Sequence, residues 1–218
     1  MYKKIPHKRL SDRKFKQLID EWIYQTPARV CAQKIGVNRK TVSLWYQKIQ
    51  NRIIEREAEE TFSGIVEVDE SYFGRKRPGK WGRGTAGKVA VFGLRERSSG
   101  KVWCTVTEGT DYTYLLPLIM WKVAPDSLIY SDGFGAYAKL KKLGYDHVVV
   151  KHSHQIYSLG DGIHTNGIES FWAFAKKFIR QKNGLPKNQY HRHLKEAQFR
   201  FNNRDIRLMR IIVRQLLR

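Results

Sequence analysis

Apolar residues recur along this chain with two different periods, and the change falls near residue 64. Within 11–26, Phe15, Leu18, Ile19, Trp22 and Ile23 stand at i, i+3, i+4, i+7 and i+8. That stripe predicts an amphipathic helix, which Ser11 or Asp12 can cap and Pro27 ends. Residues 28–46 read as a short helix, a tight turn at Gly36 and a second helix from about Asn38. Ala32 allows a close helix crossing, and burial of Val37, Val42 and Trp45 turns Asn38, Arg39, Lys40, Ser43 and Gln47 outward. This is the helix-turn-helix pattern, in which a second helix enters the DNA major groove. Residues 48–60 are polar and helix-prone, and read as linker.

From Gly64 short β-branched runs take over. Ile65 to Gly74 predicts a strand ending on Asp69, Val89 to Glu96 and Lys101 to Thr107 a hairpin, and Thr113 to Val123 a helix. A fourth strand at 127–130 leads to Asp132, followed by a helix at 136–143 and a fifth strand at 147–151. A helix from Asn166 buries Ile168, Phe171, Trp172, Ala175, Phe178 and Ile179, and two basic helices close the chain. The order β-β-β-α-β-α-β-α is an α/β pattern in which the first and fourth strands can be neighbours. In the ribonuclease H-like arrangement those two strands carry acids side by side. The expected division is a helix-turn-helix domain at 1–50, a linker at 51–63, the ribonuclease H-like core at 64–204 and a C-terminal basic helix at 205–218.

Composition sharpens this. A formal charge of +21, from 41 basic and 20 acidic residues, calls for a polyanionic partner. The basic residues are spread out and form no basic amphipathic helix, which favours nucleic acid over membrane. Two cysteines exclude a cysteine-based zinc ribbon and suit a reducing compartment. No apolar run reaches the roughly 20 residues of a membrane span, and Met1 to Lys8 lack a signal-peptide core. A soluble, cytoplasmic, nucleoid-associated protein is expected. The Gly-rich stretch 74–88 offers Arg75, Lys76, Arg77, Lys80, Arg83 and Lys88 with Trp81 as a hairpin tip gripping DNA backbone. Its likeness to a phosphate-binding loop fails, because Val89 holds the Ser/Thr position and a strand follows instead of a helix. His152, His154 and His164 lack regular zinc-ligand spacing and read as loop histidines.

Three acids remain for chemistry. Asp69 ends an apolar strand, where a lone buried carboxylate is costly, although a turn-capping role would suit it too. Asp132 precedes Gly133, ordinary turn chemistry in isolation, but it repeats the strand-then-acid pattern. Glu169 opens a helix, where an acid commonly complements the dipole. Lys176, 7 positions on, falls on nearly the same face roughly 10.5 Å along the axis, placed to meet a phosphate. Glu67 and Glu70 lie on opposite faces of the first strand, and either suits a surface. Oxygen-only ligands at element ends suit Mg²⁺ or Mn²⁺, and a two-metal site cleaves phosphodiesters.

Residues 68–76, 130–137, 164–176 and 199–204 together resemble bacterial insertion-sequence DDE transposases, most closely the branch related to eukaryotic Merlin elements. The resemblance implies that Asp69, Asp132 and Glu169 are the catalytic, metal-binding acids and that Lys176 is the lysine following the third. Some relatives carry Asn or His at the third position, and Asn166 shares a helix face with Glu169. Glu169 is preferred because a third negative ligand better neutralises two cations. The resemblance further implies binding of terminal inverted repeats, end cleavage, joining of 3′-hydroxyls to target double-stranded DNA, and a homodimer or larger assembly. Two alternatives stand beside it: a catalytically inert DNA-binding regulator, and a structure-specific nuclease on the same fold.

Overall fold

The stripe at 15–23 becomes helix α1 (Asp12–Ile23), capped by Ser11, whose Oγ accepts from the Lys14 amide at 3.4 Å. The computed structural model describes residues 10–57, 60–74, 87–132, 135–137, 139–150 and 165–217. The chain divides into two units, Met1–Glu57 with Asn203–Arg218, and Ala58–Asn202.

In the first unit, α2 (Ala28–Ile35) stops at Gly36, whose φ of 62° is the left-handed conformation that a tight turn asks of glycine. Helix α3 (Arg39–Glu55) starts one residue after Asn38, whose side chain accepts from the Lys40 amide at 2.7 Å. Phe15, Leu18, Val42 and Ile49 are fully buried, and the Phe15 and Trp45 rings meet edge-on with centroids 4.9 Å apart. The helix runs past residue 50 into the stretch expected as linker. Ile49 and Ile53, one turn apart and both buried, give that stretch a face to pack.

The second unit is a five-stranded mixed sheet with strands β1 (Ile65–Phe73), β2 (Val89–Glu96), β3 (Val102–Thr107), β4 (Leu128–Ser131) and β5 (Asp146–Val149). Their order is β3-β2-β1-β4-β5, with β1–β2 and β2–β3 antiparallel and β1–β4 and β4–β5 parallel. The first and fourth strands are therefore neighbours, as expected. On one face Val66, Val68, Phe92, Leu94 and Ile129 pack with helix α4 (Tyr112–Lys122). The other face carries Phe73, Val91 and Cys104 beneath α5 (Asn166–Arg180) and α6 (Tyr190–Asn202).

One expected helix is absent. Residues 136–143 instead hold two 3₁₀ turns, Gly135–Tyr137 and Leu140–Leu143, ended by Gly144 at φ 84°. The segment is too short for its apolar spacing to separate α from 3₁₀ geometry. Its fully buried anchors Tyr137 and Leu140 are three residues apart, the spacing that a 3₁₀ turn eclipses on one side.

Helix α6 closes the β3 edge of the sheet. The Asn202 side chain accepts from the Val102 amide at 2.9 Å and donates to the Val102 carbonyl at 2.8 Å. Gln198 accepts from the Cys104 amide at 2.9 Å. Side-chain amides thus satisfy main-chain groups that a further strand would otherwise take.

Helix α7 (Ile206–Leu216), expected to stand alone, groups with the helical unit. Its Met209, Val213 and Leu216 are buried, and Arg210 Nε meets Asp20 Oδ1 of α1 at 2.7 Å. No helix among the described residues is long and apolar enough to cross a membrane.

Candidate active site

Parallel pairing sets Ile65 opposite Leu128, Val66 opposite Ile129 and Glu67 opposite Tyr130, an offset of 63 positions. Asp69 and Asp132 differ by the same 63, so extending the ladder two residues brings Asp132 beside Asp69 on the same face. Neighbouring strands lie about 4.8 Å apart. Both acids line a cleft of about 280 Å³ with Glu70, Tyr72, Lys88 and Lys176.

Asp69 is half-buried and fully engaged. Its Oδ1 accepts from the Glu70 amide at 2.8 Å and its Oδ2 from Trp172 Nε1 at 3.0 Å. Burial pushes its pKa up to about 6, and the charges of Asp132 and Glu169 add to the rise; the Glu70 amide and the Trp172 indole oppose it. Asp69 therefore feels the charge of both other acids. Trp172 reaches Asp69 because the residue opposite Asp69 on β2 is Gly93. A Cβ there would lie 2.6 Å from the indole and 3.2 Å from Ile168. The bare glycine lets α5 sit close enough for the bond.

Glu169 reaches Asp69 through its charge but is not part of the cleft lining. It is exposed, and Thr165 Oγ1 donates to its Oε1 at 3.3 Å. Asn166 is also exposed. Among the described residues, no three His, Cys, Asp or Glu side chains lie close enough to hold one metal ion. The structure thus assembles Asp69, Asp132 and Lys176 in one cleft and leaves Glu169 and Asn166 outside its lining. Mutual repulsion of the carboxylates opposes closer approach.

Lys88 joins the cleft, whereas Arg75, Lys76, Arg77, Lys80 and Arg83 lie outside the described residues, as do His152, His154 and His164. Two acids given no role turn out to be structural. Glu70 accepts from the Tyr137 hydroxyl on the α4 side of the sheet; burial, then Glu70, hold that phenol well above its usual range. Glu67 is fully buried against Arg95 and Arg97. Alternation with Val66 and Val68 put it on the opposite face of the strand, where an acid suits solvent, and nothing local named the partners that bury it.

In the helical unit Asn38, Arg39, Lys40, Ser43 and Gln47 share one surface. Asn38 is committed to capping α3. Leu44, not singled out from the sequence, lies on this surface 66% exposed.

Residues 61–202 match the ISXO2-like transposase domain. An uncharacterized transposase-like protein of Haemophilus influenzae is 36% identical over 118 residues, covering 54% of this chain and 94% of that protein. A protein in the transposable element ISH50 of Halobacterium salinarum is 28% identical over 192 residues, 80% of this chain and 64% of that protein. The catalytic core of BIV integrase superposes with a TM-score of 0.40 at 14% identity, covering 63% of this chain and 82% of that core, and no chemistry follows from so weak a likeness. The domain match begins just before β1 and ends with α6, taking in the whole sheet and the helices on both of its faces, and the chain accordingly belongs to the family of ISXO2-like transposase domains.

Proposed function

We propose that this protein is the DNA transposase of an insertion sequence, from the branch related to Merlin elements. It binds terminal inverted repeats, cleaves DNA at the element ends and joins the freed 3′-hydroxyls to target DNA. The observation that carries this reading is the in-register pair Asp69 and Asp132, sharing a cleft with Lys88 and Lys176 in a transposase-family core.

The donor set fits a divalent cation. Two carboxylates on adjacent strands, one raised to about 6 by burial and like charge, form a site whose ionised state a cation would stabilise. Asp69 and Asp132 would hold Mg²⁺ or Mn²⁺, with Glu169, or Asn166 in its place, as the third ligand. When bound, the metal supplies Lewis acidity at the phosphodiester and activation of water or a 3′-hydroxyl.

The chain's own groups prepare the rest. The Glu70 amide and the Trp172 indole orient the Asp69 carboxylate and favour its ionised form. Lys176 and Lys88 flank the acids and neutralise phosphates of the incoming strand. Helix α3 would enter the major groove, with Arg39, Lys40, Ser43 and Gln47 toward base edges and backbone while Asn38 caps the helix. Leu44 would meet a thymine methyl. Arg75, Lys76, Arg77, Lys80 and Arg83 would grip flanking backbone. Two ends must be held together, so a homodimer or larger assembly acts on DNA in the bacterial cytoplasm.

The test is incubation with DNA carrying the element's ends and Mg²⁺ or Mn²⁺. End-specific nicks and strand-joined products are expected, and Asp69→Asn should abolish both while binding persists. Binding without cleavage in the wild type would indicate an inert regulator. Cutting at junctions without inverted repeats or strand joining would indicate a nuclease.

A further inference from the structure

Glu67 is fully buried, and every contact described for it ties something to something else. Its Oε1 receives Arg97 Nε at 2.9 Å and Arg95 Nη1 at 3.3 Å. Its Oε2 accepts from the backbone amide of Ile168 at 2.8 Å, across 101 residues of sequence. That amide lies in the first turn of α5, where N–H groups have no partner within the helix, and Thr165 makes no side-chain capping bond. The cap of α5 therefore comes from the middle of the sheet, and it is an anion at the positive end of a helix. Arg95 and Arg97 offset the cost of burying it. Arg95 also lies against the bare backbone of Gly167, where a Cβ would come within 2.2 Å of its Nη1.

Two residues along the same strand face, Asp69 accepts from Trp172. A strand advances about 6.6 Å over two residues, and a helix rises about 6 Å over four. Glu67 and Asp69 thus meet Ile168 and Trp172, one turn apart, in a single register. A slip of one residue would rotate α5 by about 100° and lose both bonds.

We propose that Glu67 is a positioning residue: it sets the register of α5 on β1 and so decides where Glu169, the next residue after Ile168, and Lys176 stand relative to Asp69 and Asp132. Its consequence for catalysis rests on the transposase reading, whereas the capping itself does not.

The test compares wild type, Glu67→Gln and Glu67→Ala in the full-length protein. Amide hydrogen exchange is followed at Ile168–Phe171 and, as reference, at Val91–Leu94 of β2. Cleavage of end-containing DNA is titrated with Mn²⁺. Exchange at the start of α5 should quicken roughly tenfold or more in E67A, and less in E67Q, which keeps an acceptor oxygen, with β2 unchanged. The Mn²⁺ concentration for half-maximal cleavage should rise by a larger factor than the maximal rate falls. If E67A does not fold, E67Q carries the same readouts. Wild-type exchange at Ile168 in a folded variant overturns the proposal, as does uniform quickening through α5 and β2, which would mean general stabilisation only. Absence of cleavage by the wild type would defeat the transposase reading and leave the exchange result to decide the capping role.

Discussion

Two helices are fastened to this sheet by one geometric match, with opposite chemical outcomes. On the β3 edge, Gln198 and Asn202 of α6 meet Cys104 and Val102. At the centre, Ile168 and Trp172 of α5 meet Glu67 and Asp69. Both pair positions four apart on a helix with positions two apart on a strand. The edge fastening uses neutral amides against main chain, and nothing is left over for chemistry. The central one uses carboxylates, and after both Asp69 oxygens are engaged the group is still held near a pKa of 6 by burial and its acidic neighbours. The same spacing joins neutral groups to main chain at the edge, and at the centre it joins α5 to two carboxylates, one of which burial and like charge raise to about 6.

Substitutions can break this contrast. The largest effect is expected from Asp69→Asn, which should lower end cleavage at least about a thousandfold, since transition-state charge stabilisation is worth several kcal/mol. The folded protein should persist by circular dichroism, and retained cleavage would remove Asp69 from the chemistry. Gly93→Ala forces a methyl against Trp172 and should cost about 2 kcal/mol by overpacking, read as a fall in urea midpoint. Asn202→Ala leaves the Val102 amide and carbonyl without their partner and should cost about 1.5 kcal/mol. Unlike Gly93→Ala, it should leave cleavage per folded molecule unchanged.

A smaller effect is a pH dependence. Because the folded-state pKa of Asp69 is raised from 3.8 to about 6, the folded state binds more protons between those values. Its contribution to stability is complete below about pH 4 and is lost as pH rises through 6. The change should be about 1 kcal/mol, discounted for partial exposure, and Asp69→Asn should flatten it in metal-free urea titrations. The smallest effect belongs to Trp172→Phe. With the indole donor gone, the Asp69 midpoint should move upward from about 6, followed by carboxyl NMR titration. No movement would show that the bond contributes nothing to the ionised state.

Much of the molecule was legible in the chain. The stripes at Phe15–Ile23 and Ile168–Ile179 are buried as their spacing required, and Gly36 turns where a helix pair needed it. Asp69 and Asp132 stood out because each follows a short apolar run, although β1 continues through Asp69 to Phe73 instead of ending there. The helix expected at 136–143 failed because its period was too short to separate α from 3₁₀. Glu67 and Glu70 looked like surface acids because their partners, Ile168 and Tyr137, are 101 and 67 positions away. Gly93 carried no signal beyond a glycine in a strand, although it makes room for Trp172.

The sequence by itself determined which side of each helix and strand would be apolar, since backbone geometry assigns every residue a direction from its immediate neighbours. Only the tertiary structure decided which strand lies beside which, in what register, and which helix turn rests on which acid. Those choices set the Asp69–Asp132 pairing, the Glu67 cap and the position of Glu169 outside the cleft. They depend on groups brought together across the fold, where burial and like charge act through space and leave no local pattern to read.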